Sequence, residues 1–301
     1  MQQKTPKKHE AKSFLLAFGA AFLVLAVIAT AVAMTVGRKN GLIQEEISKP
    51  QVEDSYIPSD EDDLTLLLSF HEDPSAEDSL ASYHLLHFDA ATARTLVIPL
   101  PYQTALDTSQ GTDTLDGIWK EGRGEMAAAA VGEHLQVPVD AYMDMDLEGL
   151  EEFISRCGTV KYEIAQSSSF TRGERKVSLS QGKQLMDGQK IVDLGYYLRT
   201  TQGEMARNDF LAQMVGLFVE LRIAPLYLED ADALFQNLLE CFSTNLSAQE
   251  FVSRSGFFRS LFSKDDRTTV VSLGGRYYSN RTSFIINDTA VRTLRGMLGA
   301  G

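Results

Sequence analysis

Cysteine is scarce in this sequence, and the common catalytic sequence patterns are missing. The two cysteines, Cys157 and Cys241, are too few for a disulfide framework, and no Cys/His spacing matches a zinc site. Both lie in apolar, helix-like segments, so we expect buried free thiols, with one bridge between them as the alternative. No P-loop, G-x-G-x-x-G, H-E-x-x-H or Ser-His-Asp order occurs. The sequence therefore carries no nucleotide-binding or hydrolase signature.

Basic side chains are also scarce outside the N-terminus. The whole chain carries a net charge of −13, but residues 1–39 hold six basic residues and one acidic residue, so residues 40–301 carry −18. Nucleic-acid binders gain much of their affinity by neutralising phosphates with basic side chains. The acidic body therefore argues against a nucleic-acid partner, and any site for an anion must be local.

Charged residues are missing altogether from residues 13–36, SFLLAFGAAFLVLAVIATAVAMTV. This run is long enough to cross a hydrocarbon core of about 30 Å. Four lysines precede it, so the positive-inside rule predicts a cytoplasmic tail at 1–12, a transmembrane helix at 13–36 and the rest of the chain outside the cytoplasm. Cleavage as a signal peptide stays open, because small-residue triplets such as Ala31-Val32-Ala33 lie near the end of the run.

Two further regions follow the predicted membrane helix. Residues 37–63 are polar and strongly acidic, which is typical of an extended stalk. The remaining residues, 64–301, number about 240, which is enough for one large domain with its own core.

The clearest structural pattern in this domain lies between Val137 and Ile164. Residues 137–146 alternate between apolar and polar side chains as a half-buried strand does. Asp146 then stands at an N-cap position, an apolar stripe at helical spacing follows, and Gly158 suits the helix end. Residues 159–164 alternate again. A helix that connects two strands packs its stripe on a sheet, so we predict a layered α/β domain.

The rest of the domain shows further strands and helices. Strands are predicted at 64–70, 82–89, 94–100, 270–273 and 283–286, and helices at 125–135, 204–223, 230–242, after Ser247 and after Asn287. Residues 102–117 and 165–175 are predicted to be loops, and residues 190–198 fit a helix or an extended segment equally well.

One basic cluster suits an anion. Arg199 and Arg207 bracket a predicted helix start at Glu204, where free N–H groups and the helix dipole favour negative charge. An arginine fork also matches phosphate oxygens. The alternative is a loop Arg199 and a surface Arg207 paired with Glu204 at i, i+3. No metal site is predicted, because His84 and His87 are three apart on a strand and face opposite sides of the sheet.

Several segments, taken in order, resemble the LytR-CpsA-Psr family of bacterial envelope proteins. HLLHFDAATARTLVIPLP is similar to the family's strand–turn–strand that ends in S-I-P-R-D. TLDGIWKEG is similar to K-L-N-x-A-Y-x-x-G-G, and LSQGKQLMDGQKIV to L-x-x-G-x-Q-x-L-x-G-x-Q-A-L. The 137–164 segment, STNLSAQEF and the glycine–tyrosine segment near the C-terminus also fit, so the resemblance covers residues 64–298.

This resemblance implies a fold and an activity. The fold is α/β, with a central mixed β-sheet, helices on both faces and an apolar pocket for a polyprenyl chain. Active members of the family are phosphotransferases that attach undecaprenyl-pyrophosphate-linked glycopolymers to peptidoglycan, with arginines and Mg²⁺ holding the pyrophosphate.

The sequence departs from the family where that chemistry would be carried out. Ser82 stands near an expected acidic residue, Leu100 and Pro101 replace the arginine and aspartate of S-I-P-R-D, and Asp116 replaces an asparagine. The family's R-x-R pair falls on Tyr196 and Leu198, or on Arg199 and Thr201 if a gap is allowed, and its D-x-x-R survives as Glu204 and Arg207. Leucine offers no contact to phosphate, and proline offers neither a carboxylate nor a backbone donor.

We therefore expect a membrane-anchored, extracytoplasmic envelope protein with a degenerate domain. Such a domain would bind a polyprenyl-phosphate lipid, peptidoglycan or another envelope protein rather than catalyse, and it would need no cofactor. One alternative is an active phosphotransferase that uses Mg²⁺ and rearranged arginines, and another is a structural protein with an empty pocket. The distinguishing feature is whether Arg199 and Arg207, together with Arg123 or Arg172, converge at one pocket mouth.

The topology has a direct test. Protease treatment of intact protoplasts should remove residues 40–301, because the uncharged run at 13–36 follows a lysine-rich end. Protein that is protected from the protease, or released from membranes by an alkaline wash, would contradict the predicted topology.

Overall fold

A six-stranded mixed β-sheet lies at the centre of the fold in the computed structural model, which describes residues 56–57, 59–73, 75, 81–278 and 282–299. The chain divides into two units, residues 1–51 and 52–301, and the first lies outside the described residues. The predicted cytoplasmic tail, the membrane helix at 13–36 and most of the stalk therefore stay predictions.

The strands form one large sheet and four two-stranded ribbons. The strands are β1 (Leu64–His71), β2 (Ala81–Asp89), β3 (Arg94–Leu100), β4 (Ala105–Thr108), β5 (Gly111–Thr114), β6 (Ala141–Asp146), β7 (Val160–Ile164), β8 (Ser168–Arg172), β9 (Arg175–Leu179), β10 (Gly182–Met186), β11 (Ser243–Thr244), β12 (Thr268–Val270), β13 (Gly275–Tyr277) and β14 (Phe284–Ile286). The main sheet has the order β11-β6-β1-β2-β3-β12, and β4-β5, β7-β10, β8-β9 and β13-β14 are the ribbons.

The helices follow the same chain order. They are α1 (Leu115–Leu135), α2 (Leu147–Cys157), α3 (Gly188–Gln202), α4 (Glu204–Phe218), α5 (Ala224–Glu229), α6 (Ala231–Cys241), α7 (Ala248–Ser253), α8 (Ser255–Phe262) and α9 (Asp288–Met297). A π-helical segment, Val219–Ile223, joins α4 to α5.

The main sheet is mixed because its strands run in both directions. The central pair β1 and β2 is antiparallel, as is β2 with β3, whereas β6 runs parallel to β1 and β12 runs parallel to β3. Successive side chains of a strand point to opposite faces, so each central strand supplies two apolar layers. Leu66, Leu86 and Val97 pack towards α2, α4 and α6, while Leu85 and Ile98 pack towards α1 and α9. The predicted mixed sheet with helices on both faces is confirmed.

The strand–helix–strand segment forms as predicted, with one correction. Asp146 caps α2 by accepting a hydrogen bond of 2.8 Å from the N–H of Gly149, and Gly158 ends the helix at a φ of 91°. The first strand begins at Ala141 rather than Val137, because α1 continues to Leu135. The second strand, β7, pairs with β10 outside the main sheet. Alternation identifies the two faces of a strand but not its neighbour.

Both segments predicted to be loops contain hairpins instead. Residues 105–114 form the β4–β5 ribbon, and residues 168–179 form the β8–β9 ribbon. The β4–β5 ribbon carries no regular apolar face, because the strand Gly111–Thr114 is exposed along most of its length, so the periodic signal of a half-buried strand is weak there. The β8–β9 ribbon does bury one face, at Val177 and Leu179, but its first strand, Ser168–Arg172, has no fully buried residue.

One helical run among the described residues, Glu204–Glu229, has the length and apolar composition to cross a membrane. Within the fold, Phe210, Met214 and Phe218 of this run are buried in the core next to the sheet. Helices in the core of a folded domain share this composition, so we assign the run to the domain core.

The packing of α2 gives a stability prediction. Phe153 is 3% exposed and makes edge contacts with Phe218 and Phe242 at centroid distances of 5.5 and 5.8 Å. Phe153→Ala should lower the free energy of unfolding by roughly 3–5 kcal/mol, because it removes a buried aromatic ring and leaves a cavity. Val252→Ala, at a side chain that is 58% exposed, is the control and should change it by less than about 0.5 kcal/mol. Equal effects of the two substitutions in urea unfolding would contradict this packing.

Candidate functional site

An apolar cavity of about 150 Å³ lies between one face of the sheet and the helices that cover it. The sheet side is lined by Leu66, Leu68 and Met143, and the helix side by residues such as Phe218 and Leu238. Its polar end is formed by Ser82, His84 and Arg207. Among the described residues that line the cavity, Arg207 is the one Lys, Arg, Asp or Glu.

A break in regular helical structure borders this cavity. The π-helical segment Val219–Ile223 interrupts the run from α4 to α5, and both of its end residues line the cavity. An i→i+5 segment widens the helix and frequently occurs at functional sites. The irregular turn therefore forms part of the cavity wall.

Arg207 is buried at the cavity mouth. Its side chain is 1% exposed, and its guanidinium donates to the carbonyl of Ala81 at the start of β2 and forms an ion pair with Glu204. Its terminal nitrogen also donates to Asn208 Oδ1 at 3.2 Å. The expectation of a surface Arg207 is therefore wrong, because the arginine bridges α4 to the end of a strand.

Arg199 and Tyr102 complete this cluster. Arg199 lies in the last turn of α3, with its Nε 3.4 Å from Glu204 Oε2, and it donates to the Tyr102 hydroxyl at 3.3 Å. Both guanidinium groups lie over the Tyr102 ring, at 5.6 Å for Arg199 and 5.7 Å for Arg207. The two arginines thus come together over Tyr102, with Glu204 paired to both, and of the two Arg207 lines the cavity.

Burial weakens the charges of this cluster. Burial raises the pKa of Glu204 while the two arginines oppose the change, and burial lowers the pKa of Arg207 while Glu204 opposes it. Each charge is therefore held in place mainly by the other. An incoming anion would have to compete with Glu204 for both arginines.

Several polar atoms at the cavity end lack a hydrogen-bond partner among the described residues. These atoms are Arg207 Nε, His84 Nε2 and Asn208 Nδ2. A buried donor without a partner costs free energy, so such atoms mark places where a ligand oxygen would be stabilising. Here they lie beside Ser82, where the family has an acidic residue.

The substituted family positions lie elsewhere on the sheet end. Leu100 is 1% exposed and belongs to the apolar layer under α1, together with Tyr83 and Trp119. Pro101 is buried, and its carbonyl accepts from the Thr104 hydroxyl at 2.6 Å. Asp116 accepts from the Tyr83 hydroxyl at 3.0 Å and pairs with Lys120 at 3.0 Å.

Arg172 and Arg123 do not join the Arg199–Arg207 cluster. Arg172 forms ion pairs with Glu72 and with Asp193, so its charge is neutralised on α3. Arg123 lies on α1, against the opposite face of the sheet, with its guanidinium 4.4 Å from the centre of the Trp119 ring. Of the four arginines whose convergence distinguishes the alternatives, Arg199 and Arg207 come together, and Arg123 and Arg172 lie apart from them.

Sequence reasoning missed a second cluster at this end of the sheet. The His71 and Trp119 rings stack at 3.3 Å, and Asp144 accepts from the Ser69 hydroxyl, from Trp119 Nε1 at 3.2 Å and from the N–H of Gly124 at 2.9 Å. The available signal was Arg123 itself, which stands at the second glycine of the family's K-L-N-x-A-Y-x-x-G-G.

The described residues do not fit a Mg²⁺ site built by the protein. No group of three or more potential His, Cys, Asp or Glu ligands comes together within the described part of the chain. Glu204 faces two arginines, and Asp144 is occupied by three donors. Mg²⁺ prefers carboxylate oxygens that are open to it, together with phosphate and water.

The fold and this cavity define a class of protein. The family model LytR_cpsA_psr matches residues 84–298, and the chain belongs to the LytR-CpsA-Psr family. It is similar to the polyisoprenyl-teichoic acid–peptidoglycan teichoic acid transferase TagV of Bacillus subtilis (strain 168), with 18% identity over 192 residues, 62% of this chain and 49% of TagV. The chain thus spans about half the length of this curated relative.

Solved structures share the fold. The structure of a putative transcription regulator from Eubacterium siraeum has a TM-score of 0.69 at 14% identity, covering 82% of this chain and 95% of that one. Bacillus subtilis TagV has a TM-score of 0.61 at 18% identity, covering 78% and 95%. TagT bound to LIIa-WTA has a TM-score of 0.59 at 16% identity, covering 83% and 96%.

The two buried histidines at this site give a pH prediction. Burial lowers the pKa of His84 to about 3, with Arg207 adding to the effect, and burial lowers the pKa of His71 to about 3, with Arg123 and Lys120 adding to it. Unfolding frees both rings to bind a proton below about pH 6.5. They therefore stabilise the fold fully above that pH, and this contribution is lost as the pH falls towards 3.

The expected size follows from the slope of about 1.4 kcal/mol per pH unit for each histidine. Between pH 6.5 and 5, the unmodified protein should lose roughly 1.5–2 kcal/mol more unfolding free energy than His84→Leu, measured by urea unfolding. Parallel pH profiles for the two proteins would show that His84 is not held neutral by the fold.

Proposed function

We propose that this chain is a membrane-anchored, extracytoplasmic envelope protein whose domain binds a polyprenyl-phosphate-linked precursor without transferring it. The observation that carries this proposal is the state of Arg207, the one charged group lining the apolar cavity within the described residues. It is buried and already paired with Glu204 and the Ala81 carbonyl. Such a group favours a phosphate nearby but offers little extra stabilisation to a transition state.

The loss of charge at the strand end supports binding without catalysis. Phosphoryl transfer depends on positioned cations that stabilise charge developing in the transition state. Leu100 and Pro101 are buried and uncharged where active members have an arginine and an aspartate. Loss of a single preorganised contact of this kind often costs on the order of 10²–10³ in rate. Losing several should therefore remove most of the activity.

The dimensions of the cavity limit how the lipid chain is held. A dry apolar cavity of about 150 Å³ accommodates roughly one benzene-sized group, and the cavity here has that volume. A long polyprenyl chain therefore requires the covering helices to separate from the sheet. The irregular turn at Val219–Ile223 is a natural point for such a movement, because helices bend at π-helical turns.

Localisation rests on the sequence and on relatives. The uncharged run at 13–36 after a lysine-rich end favours a single membrane helix with the domain outside the cytoplasm. The relative TagV is named for a polyisoprenyl-linked donor and a peptidoglycan acceptor, both of which belong to the cell envelope. Besides the lipid, peptidoglycan or another envelope protein is therefore a further candidate partner of the domain.

An active phosphotransferase is the second candidate. The convergence of Arg199 and Arg207 over Tyr102 favours it, because two guanidinium groups within reach of one anion are what pyrophosphate recognition needs. Glu204 lies between them and offsets their charge. The binding function is therefore better supported than the transferase function.

The proposal has a two-part test with full-length protein in neutral detergent. The protein should retain radiolabelled undecaprenyl phosphate in equilibrium dialysis. It should transfer no glycopolymer from a polyprenyl-pyrophosphate donor to peptidoglycan with Mg²⁺ present, in an assay where TagV is the positive control. Leu100→Arg should not restore transfer, because groups that act on one pyrophosphate work as a unit and single repairs are not additive.

Two results would contradict this function. Turnover by the unmodified protein that is lost in both Arg207→Ala and Arg199→Ala would establish the phosphotransferase. Arg199→Ala is the more informative variant, since the Arg199 side chain is 37% exposed and its loss should leave the fold intact. Failure to retain any undecaprenyl phosphate would instead favour a structural role with an empty pocket.

A further inference from the structure

Helix α1 is broken at an arginine whose backbone conformation normally requires glycine. Arg123 has φ 57° and ψ −156°, and the preceding Gly122 has φ −131° and ψ 15°. Side chains other than hydrogen are strained in this region, and such residues persist only where the surrounding structure fixes them. A break at this position therefore needs a specific restraint.

The restraint comes from β6. The N–H of Gly124 donates to Asp144 Oδ2 at 2.9 Å, and Trp119 Nε1 donates to Asp144 Oδ1 at 3.2 Å. The Asp144 carboxylate thus ties the two halves of α1 together across the break. Gly124 itself has to be glycine, because a Cβ there would lie 2.6 Å from Asp144 Oδ2.

The break directs an unpaired cation over the only tryptophan in the chain. The Arg123 guanidinium carbon lies 4.4 Å from the centre of the Trp119 ring, and the residue is exposed whereas Trp119 is 4% exposed. Within the described residues no carboxylate forms an ion pair with Arg123. In a body that carries −18, a cation held by an aromatic ring and free of carboxylates is available to an anion.

Arg123 lies on the same face of the sheet as the substituted position 100. Leu100 and Trp119 belong to the same apolar layer, and Arg123 lies over the Trp119 ring. The neighbouring His71 ring stacks on Trp119 and is 3% exposed, with no hydrogen-bond partner for its Nε2 among the described residues. Both the Arg123 guanidinium and the His71 ring therefore contact the Trp119 ring.

We propose that Arg123, held over Trp119 at the break of helix α1, binds the phosphate of the ligand and replaces the cation that position 100 lacks. This assignment rests on the proposed function, because it names the group that holds the ligand's phosphate. The recognised chemistry is a pyrophosphate or phosphate-ester dianion, which an arginine fork binds through two parallel hydrogen bonds. The source of the anion, a lipid headgroup or a free ion, is decided by the test.

The lone tryptophan makes the test specific to this place. Emission of Trp119 is followed in the full-length protein in neutral detergent during titration with farnesyl pyrophosphate, inorganic pyrophosphate and farnesol. We expect a saturable change with farnesyl pyrophosphate, competition by inorganic pyrophosphate, and at least tenfold weaker binding of farnesol. Farnesol that binds as tightly as farnesyl pyrophosphate would overturn the assignment, since the anion would then contribute nothing.

The variants separate loss of the cation from loss of the fold. Arg123→Gly suits the positive φ, so it should keep or raise the melting temperature while weakening farnesyl pyrophosphate binding at least tenfold. Arg123→Lys should retain part of the affinity, and Arg94→Ala, at an exposed arginine at the other end of β3, should bind like the unmodified protein. Binding by Arg123→Gly within twofold of the unmodified protein would overturn the assignment.

Equilibrium dialysis with radiolabelled farnesyl pyrophosphate tests the role of Arg123 separately from the lipid-binding function of the domain. Binding that Arg123→Gly leaves unchanged refutes the role of Arg123 and leaves the lipid-binding function standing. No binding by the unmodified protein refutes both. Loss of binding in Arg123→Gly with an unchanged melting temperature supports both.

Discussion

The buried ion pair between Glu204 and Arg207 is the interaction on which the mouth of the cavity depends. Taking two charges out of water is costly, and the pair holds only if further hydrogen bonds satisfy the remaining donors. Arg207 finds one of these at the Ala81 carbonyl, and so the start of α4 is fixed to the start of β2. Removing either partner would leave an uncompensated buried charge. The contacts of Arg207 with Glu204 and the Ala81 carbonyl thus connect α4 to β2, and the same contacts neutralise Arg207, the one charged group among the described residues that line the cavity.

The arginines near this end of the sheet lie on its two opposite faces. Arg207 lines the cavity, whereas Arg123 lies with the face that packs on α1. Arg207 donates to the carbonyl of Ala81 on β2, and Ala81 is the register partner of His71 on β1, whose ring stacks on Trp119. A ligand whose apolar chain enters from one face and whose phosphate reaches the other would bridge this edge.

The sequence predicted the parts of the fold that are periodic, and it failed where tertiary contacts decide. The capped helix after Asp146 and the hairpin of β2 and β3 follow from local spacing, and both are present. The β4–β5 ribbon was missed because its side chains are mostly polar and exposed. The burial of Arg207 was missed because its partner, the Ala81 carbonyl, is distant in sequence and is a backbone group. The i, i+3 spacing identified Glu204 as the neighbour of Arg207, but it could not indicate the contact with Ala81 at the start of β2.

The strained conformation at Arg123 sets this position apart from Leu100. Losing a charged residue needs no support from the surrounding structure, and Leu100 is simply absorbed into the apolar layer. Holding an arginine at a glycine-like φ and ψ is different, because the conformation has to be fixed by its neighbours. Here Asp144, Trp119 and Gly124 together do so, and each of these contacts is specific to the break. These contacts fix the backbone at the break, where the family motif has a glycine, and the Arg123 side chain then lies exposed over the Trp119 ring. The proposed anion would approach this guanidinium group from solvent.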